Sequence, residues 1–261
     1  MRIGISTAAF YGRLETEDAA SHLASLGVPC CEVFFETYSE YTRAFGELVR
    51  SRLGGTQAVS IHCKTQHFES DIMGQSARQR EDAYGMMSTF LDAGHALGAG
   101  VYVYHGPASV RGAKPPSYER WREAIDRAIA LSASRKIDFS WETVTWCHLN
   151  SPERVAQFRR IWPDLHFVLD IKQVLLLGHD PIAYIDAMGE RLRHVHILDV
   201  DAKGRYALPG AGPHDFCDFA RALRQSGYAG DVILEPYASV VTSEQALIDS
   251  VAWLRGTFQA S

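Results

Sequence analysis

The stretch "HFVLDIKQVLLLGHD", residues 166–180, reads as a buried strand with an aspartate and a lysine set into an otherwise apolar run. A carboxylate buried without a partner costs several kcal/mol or takes up a proton. Asp170 therefore needs a cation. On strand parity Asp170 and Lys172 face the same side, so Lys172 is one candidate and a bound ion is another.

Working outward, the same kind of short β-rich run recurs along the chain. "RIGIST", "CCEVFF", "AVSIHCK", "VYVYHG", "DFSWETV", "HFVLDI", "HVHILDV" and "DVILEPY" give eight strand candidates. Between them lie amphipathic stretches such as "DAASHLASLG", "YERWREAIDRAIALSAS" and "PERVAQFRRIWP", with apolar residues at helical spacing. Ser151 followed by Pro152, and Ser243 near the end, have the chemistry of helix starts. Strand and helix in strict alternation imply a parallel sheet, because each crossover must return the chain to the same end. Eight such units in 261 residues predict a (β/α)8 TIM barrel of class α/β. "ISTAAFYGRL" after the first strand has no GxGxxG, which counts against a dinucleotide fold. No linker or low-complexity segment interrupts the pattern, so a single domain over residues 1–261 is expected.

Composition narrows the function classes. The chain is 46% hydrophobic and 22% charged, with a formal net charge of -5, which argues against a nucleic-acid footprint. No apolar run is long enough to span a bilayer, and "MRIGIST" opens as a strand rather than a signal peptide. Cys30, Cys31, Cys63, Cys147 and Cys217 contain no CxxC and read as reduced structural thiols of a cytoplasmic enzyme.

In a barrel, chemistry gathers where the strands end. Glu32 and Glu36 close the second strand, His62 the third, His105 the fourth, Glu142 the fifth and Asp170 the sixth. His194, His196 and Asp199 follow on the seventh and Glu235 on the eighth. Each alone reads as a hydrogen-bonded core residue. Together they would repel and raise one another's pKa values unless a cation neutralised them, and among basic residues only Lys64 and Lys172 fall there. Glu142, Asp170, His196 and Glu235 offer a mixed oxygen and nitrogen set suited to Mn2+, Mg2+, Co2+ or Zn2+. His194, two residues before His196, reads as a deeper residue, either part of the core or one that orients a ligand.

These residues resemble a known family, the xylose isomerase-like barrels, which include sugar phosphate isomerases and epimerases, ketose 3-epimerases and endonuclease IV. The resemblance rests on "VYHGP", "WETV", "LDIKQVLLLGHDP", "HVHILD" followed by "LPGAG", and "VILEPY". It implies one divalent metal held by Glu142, Asp170, His196 and Glu235, with Glu142 and Glu235 also serving as the catalytic acid/base pair. They would move a proton at the carbon beside a carbonyl, through a metal-stabilised enediolate. His62 and His105 match positions that bind substrate in the sugar enzymes and a second metal in endonuclease IV. Substrate binding is the expectation, with a second metal at His62/His105 left open. Gln173 stands where the family usually has a His, and Gln hydrogen-bonds but cannot shuttle a proton. Lys172, and Arg205 near a family Arg, complete the expected substrate contacts. Gly204 and Tyr206 replace an Asp and a His of endonuclease IV, so neither a third metal nor nuclease activity is implied.

The implied function is a metal-dependent sugar isomerase or epimerase, with carbohydrate metabolism as its setting and no nucleic-acid or membrane partner. A homo-oligomer is compatible with the sequence. A lyase or dehydratase on the same barrel, or a non-catalytic sugar-binding barrel, are the alternatives. Phe10, Tyr11, His67 and Phe68, in loops after the first and third strands, are candidates for stacking on a sugar face.

Overall fold

The computed structural model describes residues 1–64, 68–109 and 118–260. Seven barrel strands come first: β1 (Ile3–Ser6), β2 (Cys30–Phe35), β3 (Gln57–Cys63), β4 (Val101–Tyr104), β5 (Asp138–Glu142), β6 (His166–Asp170) and β7 (Leu192–Ile197). A short antiparallel hairpin, β8 (Asp199–Val200) with β9 (Tyr206–Ala207), precedes the last barrel strand, β10 (Val232–Leu234). The order β1-β10-β7-β6-β5-β4-β3-β2 closes on itself with every barrel pairing parallel. The fold is a (β/α)8 TIM barrel, as the alternation predicts.

Helix starts follow the local chemistry. Ser151 accepts from the Arg154 amide at 3.3 Å ahead of Pro152, and Ser243 accepts from the Ala246 amide at 3.1 Å. The period-two alternation of strands decides which side chains enter the barrel. Phe167 and Leu169 join the main core beneath the helices, whereas Val168 packs with Val101 and Val103 in a separate small cluster. Asp170 shares the parity of Val168 and faces the interior with it.

Several strands end earlier than their sequences suggest, and two of these endings shape the site. "HVHILDV" breaks after Ile197, and Asp199 turns out into the hairpin. "HFVLDI" stops at Asp170, where the helix Ile171–Leu176 begins. Asp170 is that helix's N-cap, its Oδ1 accepting from the Gln173 amide at 3.4 Å. Lys172 and Asp170 therefore do not share a strand face. Lys172 sits on the first helical turn and its long side chain brings the amine back to Asp170. No helix among the described residues is long and apolar enough to cross a membrane.

Candidate metal centre

The ends of β5, β6, β7 and β10 deliver Glu142, Asp170, His196 and Glu235 to one place. The pairing of Asp170 with His196, and of His196 with Ile233, sets these strands in register. A bond from the Asp170 amide to Thr143 Oγ1 (3.0 Å) ties the ends of β5 and β6 together. One ligand atom from each of the four residues lies within 4.8 Å of the others. His196 is the hub. Its Nδ1 is 2.7 Å from Glu142 Oε1 and 3.2 Å from Glu235 Oε2, while its Nε2 is 2.9 Å from Glu32 Oε2.

Glu32 lies within β2 rather than at its end, and its part in the site is visible only in the folded chain. It is fully buried and takes further bonds from Ser60 (2.8 Å) and Ser6 (3.2 Å). His194 lies beside it, with Nε2 3.1 Å from Ser60 Oγ and 3.6 Å from Glu32 Oε2. A carboxylate on the far nitrogen of a ligating imidazole fixes the ring's tautomer and orientation. Glu32 is placed to do this for His196, with Nδ1 turned to the cluster.

Electrostatics follow from the same contacts. Burial alone would raise the glutamates, but the neighbouring His196 holds Glu142 and Glu32 well below the usual carboxylate range and brings Glu235 down to about 2. Burial pushes Asp170 up to about 7 against the pull of Lys172, with Glu142 and Glu235 adding to the rise. Lys172 donates to Asp170 Oδ2 and, at 2.5 Å, to Glu235 Oε2. Burial disfavours its charge, yet Asp170 and Glu235 outweigh that and hold the amine protonated. The donors are three carboxylates and one imidazole around a point where protein cations compensate charge only in part. That set fits a divalent ion with a preference for oxygen and nitrogen ligands.

A second group adjoins the first through Glu142. His105 Nε2 is 3.1 Å from Glu142 Oε2 and 3.1 Å from His62 Nε2. Glu69, fully buried in the segment after β3, holds His105 from behind, with Oε2 3.0 Å from Nδ1. The Tyr102 hydroxyl donates to the other Glu69 oxygen at 2.8 Å. Sequence reading missed Glu69, because nothing local marks a loop glutamate as one that turns into the core. His62 Nδ1 is buried and has no hydrogen-bond partner among the described residues.

A cavity of about 570 Å³ opens above both groups, with Glu142, Asp170, Lys172 and Glu235 on its floor. Tyr11, Phe34, Trp146 and Tyr237 line its walls, and Lys64 reaches over the Tyr11 ring at 4.6 Å. Gln173 lines it too, although its Oε1 already accepts from the Thr145 amide at 3.1 Å. Arg205 is placed elsewhere: its exposed guanidinium pairs with Asp201 in the hairpin turn, 2.6 Å away, and it is not among the lining residues. Phe10 is buried against His22, and Phe68 packs into the core beside Tyr41 and Phe90. His67 lies outside the described residues. Trp146 and Tyr237, four and two residues beyond the strand-end glutamates, follow the wall position that "WETVTW" and "LEPY" could have signalled.

A 74-residue stretch is 31% identical to fructoselysine 3-epimerase of Escherichia coli O157:H7, covering 28% of this chain and 27% of that protein. A 92-residue stretch is 27% identical to inosose dehydratase of Lacticaseibacillus casei, covering 28% and 31%. The chain thus aligns with less than a third of the length of either. Over the whole chain the fold superposes on D-psicose 3-epimerase, solved in the presence of D-fructose, with a TM-score of 0.81, 17% identity and 99% of each chain covered. It also superposes on 3-keto-D-glucoside 4-epimerase from E. coli, with a TM-score of 0.77, 18% identity and 98% and 99% covered. Residues 20–257 match the model of the xylose isomerase-like TIM barrel, and the chain belongs to that family.

Proposed function

We propose that this protein is a divalent-metal-dependent sugar isomerase or epimerase that moves a proton at a carbon beside a carbonyl. One observation carries the reading: Glu142 and Glu235 both face His196 Nδ1, at 2.7 and 3.2 Å, on the floor of a cavity large enough for a sugar. Glu142, Asp170, His196 and Glu235 would hold the ion, which when bound polarises the substrate carbonyl and makes the neighbouring C–H more acidic. Mn2+, Co2+, Mg2+ and Zn2+ are the candidates.

The chain's own residues supply the rest. One of Glu142 and Glu235, ionised, takes the proton as general base; the other would carry a proton in the substrate complex and give it to the opposite face, and the two exchange roles in the reverse direction. His105, held by Glu69, and His62 offer imidazole nitrogens to substrate hydroxyls, and Gln173 in the same cavity lining offers its amide nitrogen. Tyr11, Trp146 and Tyr237 stack on the sugar and exclude water. The short match to fructoselysine 3-epimerase supports a ketose-like substrate. The match to inosose dehydratase supports a second reading, in which the deprotonated substrate loses a β-hydroxyl as water instead of being reprotonated.

The test is incubation of the purified protein with a panel of ketoses and Mn2+, followed by NMR of the sugar pool. Formation of a C3 epimer or aldose isomer that EDTA abolishes is expected. An unsaturated or dehydrated product would favour the second reading, and an unchanged pool with stoichiometric metal bound would favour a sugar-binding barrel.

A further inference from the structure

Lys172 puts a cation against two of the four candidate ligands. It is almost wholly buried, and its ammonium donates to Asp170 Oδ2 and Glu235 Oε2. Glu235 Oε2 is also the oxygen that faces His196 Nδ1, the nitrogen turned toward Glu142. The lysine therefore holds an oxygen that belongs to the inward face of the four-residue cluster, together with a second oxygen from Asp170. A carboxylate that accepts from an ammonium is a weaker ligand for a divalent ion, because part of its charge is already compensated, and an ammonium beside such an ion is repelled by it.

Its surroundings also give the amine somewhere to go. Lys172 stands on the first turn of the helix Ile171–Leu176 and lines the cavity, and its Nζ lies 5.8 Å above the Tyr237 ring. Rotation of a flexible four-carbon stem about its own bonds carries the charge from the carboxylates into that cavity without moving the backbone. The aromatic face is a fair resting place for a cation that leaves a carboxylate pair.

We infer that Lys172 is an internal competitor of the metal: its ammonium and the ion exclude one another at Asp170 and Glu235, and metal binding releases it into the cavity. This rests on the reading of Glu142, Asp170, His196 and Glu235 as the metal ligands. Two consequences follow. The metal-free protein keeps its buried carboxylates partly neutralised, and so folds without the ion. In the loaded protein the freed ammonium becomes a donor for a substrate oxygen, a duty that an amine bound to two carboxylates cannot perform.

The experiment is Mn2+ binding to chelator-stripped protein by calorimetry, comparing wild type, Lys172→Met and Asp170→Asn. If the lysine occupies the carboxylates about nine-tenths of the time, it weakens the wild type's apparent affinity about tenfold. Lys172→Met should therefore bind Mn2+ about tenfold more tightly, and Asp170→Asn much more weakly than wild type. Equal or weaker binding by Lys172→Met, with wild type binding normally, overturns the competition and leaves the metal centre standing. No binding by any of the three with Mn2+, Co2+ or Zn2+ overturns the metal centre and the competition with it. A wild-type measurement stands beside the variant in case Lys172→Met does not fold. Amine acetylation of Lys172, followed by peptide mass spectrometry, should accelerate when Mn2+ is added, and an unchanged or slower rate with metal bound contradicts release.

Discussion

Replacing Glu32 by Gln removes one charge and almost no volume from a residue that touches neither cavity nor substrate. Its Oε2 lies 2.9 Å from His196 Nε2, and both of its oxygens are otherwise taken up by Ser60 and Ser6. His196 can present Nδ1 to Glu142 and Glu235 because Nε2 keeps its proton on Glu32. In Glu32→Gln the charge-assisted bond becomes a neutral one of about half the strength, and the ring's preferred tautomer weakens with it. Loss of such outer partners costs about 10–100-fold in metal affinity, or about 1.4–2.8 kcal/mol at 1.4 kcal/mol per factor of ten. Calorimetric titration of chelator-stripped protein with Mn2+ reads this directly, and circular dichroism confirms that the barrel is intact. An affinity within about twofold of wild type in a folded Glu32→Gln protein would refute the assignment of Nδ1 as the ligating nitrogen, given the magnitude expected for that partner.

Metal removal should be visible in stability. At a hundredfold excess over its dissociation constant an ion that binds only the native state adds about 2.7 kcal/mol, which for a chain of this size corresponds to a Tm change of about 5–10 °C. Stripping with EDTA should lower Tm by that amount and Mn2+ or Co2+ should restore it, and a melt indifferent to both would return Asp170 to a salt bridge with Lys172. Asp199→Asn should leave Mn2+ affinity unchanged while lowering Tm, because Asp199 spends its oxygens on the Val200 and His214 amides and the His214 ring rather than on the cluster; a loss of metal affinity there would show that the wrong carboxylates were chosen. Burial, with Glu40 nearby, raises Glu36 to about 7 from 4.5. The folded chain then holds a proton that the unfolded chain has lost between those values, so stability falls as pH rises through that window. Glu36→Gln should raise Tm at pH 8 and leave it unchanged at pH 4, and an equal effect at both would contradict the shift.

Strand and helix periodicity made the barrel legible, because eight apolar runs each flanked by an amphipathic segment admit few other architectures. Glu142, Asp170, His196 and Glu235 stood out for a related reason: charged residues at strand ends in an apolar run have to be compensated. What stayed hidden depends on contacts between segments distant in sequence. Glu32 and His196 are 164 residues apart, and Glu69 and His105 are 36 apart with a long helix and β4 between them. The helix beginning at Ile171 also stayed hidden, because "DIKQVLLL" suits a strand or a helix equally until Asp170 is seen capping the Gln173 amide. Phe10 and Phe68 look like loop aromatics in sequence, yet the short 3-10 turns beside them fold both into the core.

Proton transfer at carbon, carried out by Glu142 and Glu235 beside a bound ion, is the central claim, and solvent exchange tests it most directly. The Mn2+-loaded protein, incubated in D2O with the ketose that gives the strongest turnover in the panel, should place deuterium on the carbon next to the carbonyl. Glu142→Gln and Glu235→Gln should each lower that incorporation by about 10²–10⁴-fold, the range that a general acid or base contributes. Turnover of the ketose with no deuterium entering it, or full incorporation by both glutamine variants, would contradict the account.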